Sequence, residues 1–599
     1  MAALQARHPY WKQYSAAHQD YLYAFLILGV SKLRQGGRFG FITTEYWLKA
    51  TGAAPLRRYL AEHCRIDRLV LFRDLTLFRD APGQHNLIVV GERVTDPTMP
   101  DAMVKRPSAK PRVSIYTGPA RPPGRKPTLD AIRTPEGRAP VAAMVNNFTS
   151  QKDPATLGAA SWAETVMTQV QLKRRDAVRR ITTKAGLVMS EGVIATPQAL
   201  KKTHARLLTQ TALDAVGGAT SQAGIFVLSA DEAARLGERH GGLTAAEAKH
   251  LRPVINTRDV YPYGVVLPPD PSQLVWLPTA HGGPDGAFPA DMPAFQEHLQ
   301  RFKPLLEATI TKYKVNRPWW SAHNPRTQLV DGHPDTGQWA DLAVTTRWGD
   351  RKLVTGLAPA RALPLSGLHA MSGGATGTKA AYLVGLINST PVQELAEALA
   401  PGSLSQDDIE HLGLPQFPKA VADSIAAKAR EIAGVVRRLV VDQGPVWPLL
   451  RDALRYDLAL TSDVTEGWAP APGRRGWGTL ASVGWVSLDE SGRLGGVVES
   501  TVMTDDLLGT HLVVHFTHGQ VLVDAEERTD HDLRDLVERL MFGVGRVDAA
   551  ALKAIPVPVS ADALVAAWER DKTAVQALVH RYHALREEID VIVVAALGA

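Results

Sequence analysis

The chain has 599 residues, of which 45% are apolar and 21% are charged; this composition is typical of globular proteins and argues against general disorder, and the length corresponds to about three or four domains. The formal net charge of +6 at pH 7 is compatible with an anionic partner. The single cysteine, Cys64, excludes an internal disulfide and a cysteine-rich zinc cluster.

The N-terminal region has neither a leader pattern nor a long apolar span. No charged segment followed by an apolar one opens the chain, and the apolar run from Tyr21 to Val30 is too short to cross a bilayer. We therefore expect a cytoplasmic protein without a membrane partner.

The first elements alternate between helix and strand. The segment 18–33 is apolar nearly all round, which predicts a helix buried between layers and ended by Gly36-Gly37. Strand 38–43 follows, then an amphipathic helix over 52–63, and then strands 66–72 and 86–92. This alternation predicts an α/β fold with a doubly wound sheet.

Strand 38–43 raises a question about its neighbours. Its core, Phe39-Gly40-Phe41-Ile42-Thr43, is apolar on both faces, which is typical of a strand buried inside a parallel sheet with a strand on each side. Only about thirty-five residues precede it, and they read as a helix. The remaining strands are therefore expected either to be lost from this reading frame or to come from another polypeptide.

These segments also carry a family resemblance. The succession DYLYAFLILGVSKLRQGGRFGFITTEYWLKATGAAPLRRYL followed by IDRLVLFRDLTLFRDAPGQHNLIVV resembles the C-terminal half of the methyltransferase domain in large adenine-specific DNA methyltransferases. These include type IIG restriction-modification enzymes and phage-defence methylases. The resemblance implies that the three strands are the fifth, sixth and seventh of a Rossmann-like methyltransferase sheet.

Two motifs of that family are absent from the sequence: the Gly-rich loop that receives S-adenosylmethionine, and the Asn-Pro-Pro-Tyr loop that grips the flipped adenine. Arg7-His8-Pro9-Tyr10 keeps only the last two letters of the second motif, and Phe542-Gly543-Val544-Gly545 follows a helical pattern rather than a strand. S-adenosylmethionine is thus implied for the intact enzyme but not for this chain alone, and no catalytic residue is assigned.

One residue of the family's site carries over by the resemblance. Phe78 matches the position of an aromatic ring that stacks on the flipped base, a contact that base-modifying enzymes commonly use. Packing at the base of its loop is the alternative, because Leu77 beside it is equally apolar.

A Pro- and Lys/Arg-rich stretch over about 94–136 predicts an extended linker, to which we assign residues 94–160. From about residue 180 to 418, several segments resemble, in order, the family's target-recognition domain. Candidate DNA contacts there are Arg258, Lys312, Lys314, Arg317, Trp319, Trp320 and Arg326. Lys312, Lys314, Arg317 and Arg326 suit phosphates. Arg258 suits the edge of a guanine, with a local ion pair to Asp259 as the alternative. The tryptophans suit stacking on bases or packing in the core, and we expect one to be buried and one exposed. No metal site is predicted.

The C-terminal part repeats one plan. A short Pro-containing strand leads into a long helix near residues 414–440 and again near 556–590. The predicted domains are a methyltransferase portion (1–93), a linker (94–160), a target-recognition domain (161–418), a spacer helix (419–445) and a second β-rich lobe with a closing helix (446–599).

The sequence therefore predicts a partial α/β methyltransferase sheet followed by an α+β DNA-recognition region with long helices. The leading interpretation is the C-terminal portion of a site-specific DNA adenine methyltransferase, inactive without a chain that carries the N-terminal half, with double-stranded DNA as its partner. The alternatives are a non-catalytic DNA-specificity or scaffold subunit and an RNA-modifying protein.

Overall fold

The computed structural model describes most of the chain, with gaps. It covers residues 14, 20–72, 86–95, 110–116, 145–149, 162–167, 172, 180–181, 188–277, 286–314, 316–327, 342–346, 353–373, 378–399, 409, 414–443, 450, 454, 477–479, 484–488, 497–505, 509–516, 519–524, 556–558 and 561–597.

The N-terminal unit packs two helices, α1 (Tyr21–Ser31) and α2 (Ala54–His63), on a five-stranded sheet. Its strands are β1 (Arg38–Thr44), β2 (Cys64–Phe72), β3 (Asn86–Arg93), β4 (Arg112–Tyr116) and β5 (Val145–Thr149). The strand order is β1-β3-β2-β4-β5, and β3 runs antiparallel to both of its neighbours. The predicted helices and strands of this region are present, and β1, β2 and β4 share one direction.

Strand β1 lies at the edge of this sheet. It pairs antiparallel with β3 along its whole length, and in the part of the chain that the structure describes no strand pairs with its other side. The prediction that β1 lies between parallel neighbours is therefore wrong on this side, because its described neighbour, β3, runs antiparallel to it. The expected parallel neighbour on the far side is not among the described strands.

Helix α1 ends earlier than its sequence pattern predicts. Its last residue is Ser31, and the Arg93 guanidinium donates to the carbonyl oxygens of Ser31 at 2.7 Å and Leu33 at 2.8 Å. Gly36, at φ +77°, then turns the chain into β1 rather than ending the helix, and its N–H donates to the Arg93 carbonyl oxygen at 2.8 Å. A left-handed φ of this kind favours glycine.

Two strands of the N-terminal sheet come from the range that the sequence assigns to a linker. β4 pairs parallel with β2, and β5 pairs antiparallel with β4. In β4, Val113 and Ser114 are buried, so this short segment is held by pairing with a distant strand rather than extended in solvent.

Residues 161–418, called the recognition region below after the domain predicted for them, are built around two small sheets in their described part. The first has the order β10 (Val260–Tyr261), β11 (Tyr263–Val265), β14 (Thr355–Leu357), β13 (Ala343–Thr346), β16 (Leu368–Ser372) and β7 (Val188–Glu191). The second has the order β15 (Leu363–Pro364), β9 (Leu251–Ile255), β12 (Gln273–Val275) and β8 (Val227–Leu228). A further pair joins β6 (Arg180–Ile181) to β17 (Leu414–Pro415).

In the described part of this region, five short helices surround these sheets: α3 (Gln210–Asp214), α4 (Ala230–Arg235), α5 (Ala245–His250), α6 (Pro293–Gln300) and α7 (Lys303–Tyr313). The predicted N-cap of α4 is confirmed, since Ser229 and Glu232 form a capping box. Thr244 and Glu247 form a second one at α5. Each box satisfies backbone N–H groups that a helix start otherwise leaves without a partner.

Longer helices form the other main core. They are α8 (Ala380–Asn388), α9 (Thr390–Leu399), α10 (Lys419–Arg438) and α11 (Ala561–Ala596). Helices α10 and α11 each follow a short Pro-containing strand, β17 and β23 (Pro556–Pro558), so the repeated plan predicted from sequence is present. Residues of α8, α10 and α11 share one hydrophobic cluster.

The predicted β-rich segments of the C-terminal part are also strands. β19 (Gly484–Leu488), β20 (Val497–Asp505), β21 (Gly509–Phe516) and β22 (Gly519–Asp524) form a four-stranded antiparallel sheet, and β18 (Trp477–Thr479) pairs with β23. The predicted mixed α/β fold with several sheets and long helices is therefore confirmed. Arg7–Tyr10 and Phe542–Gly545 lie outside the described residues.

Candidate methyltransferase edge and nucleic-acid interface

The carboxyl ends of three parallel strands meet at one edge of the N-terminal sheet. Thr44 of β1 and Phe72 of β2 are both opposite Asn86, the first residue of β3. Phe72 is also level with Tyr116 at the end of β4. In open α/β sheets, ligands bind outside the carboxyl ends of parallel strands. This edge is therefore the candidate catalytic side of the unit.

A buried polar cluster fixes the chain after β1. The Trp47 indole N–H donates to Thr43 Oγ1 at 3.0 Å, and Arg57 donates to the carbonyl oxygens of Trp47 and Ala50, each at 2.8 Å. Burial lowers the pKa of Arg57 to about 10, which leaves it charged at neutral pH. These hydrogen bonds tie the turn after β1 to the end of β1 and to α2.

Phe78 belongs to the segment between β2 and β3. It lies outside the described residues, but the two residues that flank this segment in the structure, Phe72 and Asn86, both lie at the carboxyl edge of the sheet. The stacking role of Phe78 therefore stays a prediction.

The flank beside β1 carries an exposed apolar surface. On α1, Tyr21 is 74% exposed and Phe25 is 62% exposed; on β1, Ile42 is 48% exposed. The same helix buries Leu26, Ile27 and Val30 on its opposite side. A sheet edge with unpaired backbone groups beside apolar side chains is a ready template for pairing with another strand.

Arg258 lies in the recognition region on a short turn, Thr257–Asp259. Its side chain is 74% exposed, and its Nε is 3.9 Å from the carboxylate of Asp259. Asp259 itself is buried and accepts a hydrogen bond from the Asn256 N–H at 2.8 Å. The Arg258 side chain is thus largely exposed to solvent beside the Asp259 carboxylate.

Three of the predicted cations lie together at the end of α7. Lys312 and Lys314 are exposed, and Lys314 closes the helix in the left-handed conformation at φ +52°. Arg317 follows three residues later and lies close enough to His323 to lower the pKa of that imidazole, after the larger effect of burial. The end of α7 is thus a concentrated positive surface.

The two adjacent tryptophans have different environments. Trp320 is buried, its indole N–H donates to the Gly286 carbonyl oxygen at 2.9 Å, and its ring centroid lies 5.2 Å from that of Phe288. Trp319 is only half-buried and lies under the Lys303 ammonium, 5.4 Å from the ring centroid. Of the pair, Trp319 is therefore the one with a face near solvent.

Arg326 is partly engaged within the fold. Its Nη2 is 3.3 Å from the Glu191 carboxylate, and its side chain is 20% exposed. Its backbone adopts φ +52°. Much of its positive charge is therefore directed at β7 rather than at solvent.

Sequence reasoning missed one basic segment of this region. The stretch KKTHAR over 201–206 places exposed Lys201, Lys202 and Arg206 on a turn. Its clustered cations are visible in the sequence, but nothing there indicates that the turn lies beside the end of α7.

A separate cleft of about 460 Å³ opens between α3, α4 and α6. Its lining includes Glu232, Glu297 and His298 together with several arginines. Glu297 accepts hydrogen bonds from Arg239 and Arg301, each at 2.9 Å. Because these charges already pair with one another, we interpret the cleft as structural.

The described ranges show neither a metal-binding cluster nor a membrane-spanning helix. They contain no group of three or more histidine, cysteine or acidic residues placed to hold a metal ion. None of their helices combines the length and the apolar character that a membrane span requires.

Two comparisons of the sequence with known proteins give matches, and the family match lies in the N-terminal segment. Residues 3–78 match the Eco57I restriction-modification methylase family. Over 68 residues the chain is 31% identical to the type II methyltransferase M.HincII of Haemophilus influenzae, an alignment that covers 11% of this chain and 14% of that protein. The chain thus spans only a small part of this curated relative.

Two solved structures are similar over larger parts of the chain but superpose loosely. The type IIL restriction-modification enzyme MmeI in complex with DNA matches at 10% identity and a TM-score of 0.36, covering 69% of this chain and 43% of that one. The type IIG restriction endonuclease BpuSI matches at 11% identity and a TM-score of 0.26, covering 68% and 44%. The resemblance of the N-terminal segment to restriction-modification methylases is therefore confirmed by the family match over residues 3–78.

Proposed function

We propose that this chain is the C-terminal portion of a site-specific DNA adenine methyltransferase and that it requires a chain carrying the N-terminal methyltransferase half. In the intact enzyme, a methyl group passes from S-adenosylmethionine to the exocyclic amine of adenine. The single observation that carries the proposal is the position of β1 at the edge of the described strands, inside a segment that matches a restriction-modification methylase family.

Among the described residues, the turn after β1 does not fit S-adenosylmethionine. The turn that follows β1 is formed by Thr44, Glu45 and Tyr46, whereas a methyl-donor loop needs glycines between a strand and a helix so that the backbone approaches the ligand closely. Glu45 is buried there, which places a carboxylate, not a glycine-lined cradle, at the end of the strand. We therefore assign cofactor binding to the complementary half.

The apolar flank supports the idea of a complementary half. Exposed Phe25, whose ring lies edge-on to Phe41 of β1, and exposed Ile42 of β1 lie beside the side of β1 that no described strand pairs. A strand added there would gain backbone hydrogen bonds, and it would cover these side chains with a favourable free energy of about 25 cal/mol per Å² of apolar surface. If the added strand runs parallel to β1, its carboxyl end lies at the same edge of the sheet as the carboxyl ends of β1 and β2.

Methyl-transfer assays test this proposal directly. The chain alone, and the chain mixed with a polypeptide that carries the Gly-rich and Asn-Pro-Pro-Tyr loops, are incubated with duplex DNA of mixed sequence and labelled S-adenosylmethionine. We expect N6-methyladenine only from the mixture. Methylation by the isolated chain would contradict the requirement for a second half, and a stable complex that binds DNA without methylating it would contradict the catalytic role.

Phe78 is tested in the same reconstituted complex. If Phe78 stacks on the flipped adenine, Phe78→Ala lowers the methylation rate by about tenfold to a hundredfold, since base stacking contributes roughly 1–3 kcal/mol, while DNA affinity stays the same. Leu77→Ala is the matched control, because Leu77 is the neighbouring apolar residue that would fill a loop core. Equal losses from both variants would favour packing over stacking.

A non-catalytic DNA-specificity subunit is the second candidate. The observation that favours it is the repeated plan of β17 with α10 and β23 with α11, two long helices that share one core. Under this alternative, the N-terminal sheet is only a docking platform, and the complex transfers no methyl group from this subunit's edge.

A further inference from the structure

A second basic segment lies beside the end of α7. Lys201, Lys202 and Arg206 are all exposed on the turn that precedes α3. The turn has a defined shape, since the Lys201 N–H donates to Nδ1 of His204 at 3.3 Å and the His204 N–H donates to the Lys201 carbonyl oxygen at 2.8 Å. The three cations are therefore held on one local scaffold.

Two observations bring this turn and the end of α7 onto the same surface. After burial, the charges that lower the pKa of His204 are those of Lys201 and Lys312, so both cations lie close to one imidazole. The chain upstream of the turn also pairs with the chain downstream of α7, because Ile194 and Asn324 exchange two backbone hydrogen bonds of 3.0 Å. The segments that carry the two basic groups are thus joined through their flanking chain.

The charges of this surface are directed at solvent. Within the described residues, the following cations take part in no ion pair: Lys201, Lys202, Arg206, Lys312 and Lys314. The arginines of the nearby cleft differ, because Arg239 and Arg301 both bind Glu297. Like charges held together without carboxylate partners cost free energy unless an anion binds them.

An exposed aromatic ring lies among these cations. Tyr313 is 49% exposed, its ring meets the His323 imidazole edge-on at 5.2 Å between centroids, and the Lys312 ammonium lies 5.1 Å from its centroid. Leu207, on the basic turn, is 40% exposed. Cations that surround an exposed ring are typical of surfaces that contact both the phosphates and the sugars or bases of a nucleic acid.

We propose that Lys201, Lys202 and Arg206 form, with Lys312, Lys314 and Arg317, one continuous surface that binds the phosphate backbone of duplex DNA, with Tyr313 as its central apolar contact. This inference rests on the proposed function, which makes DNA the substrate, and it adds to that function a binding segment on a separate loop. The surface positions the duplex without reading its sequence, since contacts to phosphates carry no base information.

A salt series measures the number of phosphate contacts. The full chain is titrated onto a fluorescently labelled duplex of mixed sequence, and the logarithm of the binding constant is plotted against the logarithm of the salt concentration. Each neutralised phosphate contributes about 0.9 to the slope. The triple variant Lys201→Gln/Lys202→Gln/Arg206→Gln should therefore lower the magnitude of the slope by about 2 to 3.

The matched control removes the same number of charges elsewhere. Lys249, Arg437 and Arg438 are exposed on α5 and α10, and their triple Gln variant should keep the wild-type slope. An unchanged slope in the 201/202/206 variant, or an equal loss in the control, would overturn the proposal. Tighter binding of an RNA duplex than of the DNA duplex would also overturn it.

Tyr313 provides an independent readout. Tyr313→Ala should weaken DNA binding at every salt concentration by about tenfold without altering the slope, because a ring contact releases no counterions, and Tyr313→Phe should retain affinity. Full affinity in Tyr313→Ala would remove the central contact from the proposal. Failure of the wild-type chain to bind DNA would contradict the proposed function itself, whereas wild-type binding with an unaltered triple variant would contradict this inference alone.

Discussion

Arg93 shows how one buried side chain determines where a helix ends. Its guanidinium donates to the carbonyl oxygens of Ser31 and Leu33 at the C-terminus of α1. Arg93→Met leaves these carbonyls without a partner, and a charged hydrogen bond of this kind contributes about 1.5–3 kcal/mol. We expect amide hydrogen exchange across residues 21–31 to accelerate by roughly tenfold to a hundredfold, as measured by mass spectrometry.

Arg34→Met is the control for that measurement. Arg34 is exposed and lies in the same connection between α1 and β1, so its replacement removes a charge without removing the carbonyl contacts. Equal exchange rates in the two variants would show that the Arg93 hydrogen bonds do not hold the helix end.

Asp423 gives a pH-dependent prediction. It accepts hydrogen bonds from the ammonium groups of Lys379 at 2.8 Å and Lys419 at 2.6 Å, and these lower its pKa from 3.8 to about 2. Because the pKa is lower in the folded state, the ionised carboxylate contributes stability above pH 3.8, and that contribution is lost as the pH falls through about 2.

Carbon-13 NMR of labelled aspartate measures this titration. The Asp423 carboxyl should titrate near pH 2 in the wild-type protein and return towards its ordinary value in the Lys379→Met/Lys419→Met variant. A midpoint that stays in place when both lysines are removed would assign the low pKa to another cause.

At the residue scale, local motifs could be predicted from the sequence and environments could not. Ser229 and Glu232 are three residues apart, and their capping box depends only on that spacing. The different burial of Trp319 and Trp320 depends on Gly286 and Phe288, some thirty residues away. Their contacts arise only when α6 and α7 pack.

Helices α8 and α10 approach closely at a glycine. A Cβ added at Gly385 would lie 2.6 Å from Ile425 Cγ2 and 3.2 Å from Ala429 Cβ. Alanine is intrinsically more favourable than glycine in a helix by about 1 kcal/mol, but overpacking costs about 1–3 kcal/mol. We therefore expect Gly385→Ala to lower the midpoint of thermal unfolding, as measured by circular dichroism.

Two further variants separate the clash from helix propensity. Gly434 of α10 has no atom within 4 Å of an added Cβ, so Gly434→Ala should leave the protein as stable as before or more so. Ile425→Ala removes the clashing methyl group, and its effect should be less than additive with that of Gly385→Ala. Strict additivity would rule out the proposed steric contact.

The element scale also explains the main error of the sequence interpretation. The segment Arg112–Tyr116 is short and stands between Pro- and Lys/Arg-rich stretches, so its composition predicts a linker. Its strand character depends on parallel pairing with β2, about forty residues earlier. Pairing across such a separation leaves no local pattern, whereas the alternation of β1, α2 and β2 does.

At the scale of the whole molecule, the closing helix joins parts that the sequence separates into domains. Ile589 and Val593 of α11 are buried in the same cluster as Ile425 and Val436 of α10, and Tyr263 of β11 meets Tyr582 edge-on at 6.1 Å between ring centroids. The amphipathic pattern of α11 predicted a long helix with one buried face. It could not predict which elements that face contacts.

Asp590 is the sharpest test of this connection. Its carboxylate accepts hydrogen bonds from the N–H of Thr390 at 2.8 Å and from the Thr390 hydroxyl at 2.6 Å, so α11 caps the first turn of α9 from 200 residues away. Loss of a helix cap costs about 1–2 kcal/mol. Asp590→Ala should therefore accelerate amide exchange in the first turn of α9 by about tenfold, and exchange near residue 590 should rise with it.

Glu587→Ala separates this link from a general weakening of α11. Glu587 is exposed on the same helix, three residues before Asp590, and its removal should leave exchange in α9 unchanged. Because the capped turn and the capping residue belong to different predicted domains, a joint response to Asp590→Ala requires the recognition region and the closing helix to open together. If exchange rises in α11 alone, the helix docks independently of α9, and the two regions are energetically separate.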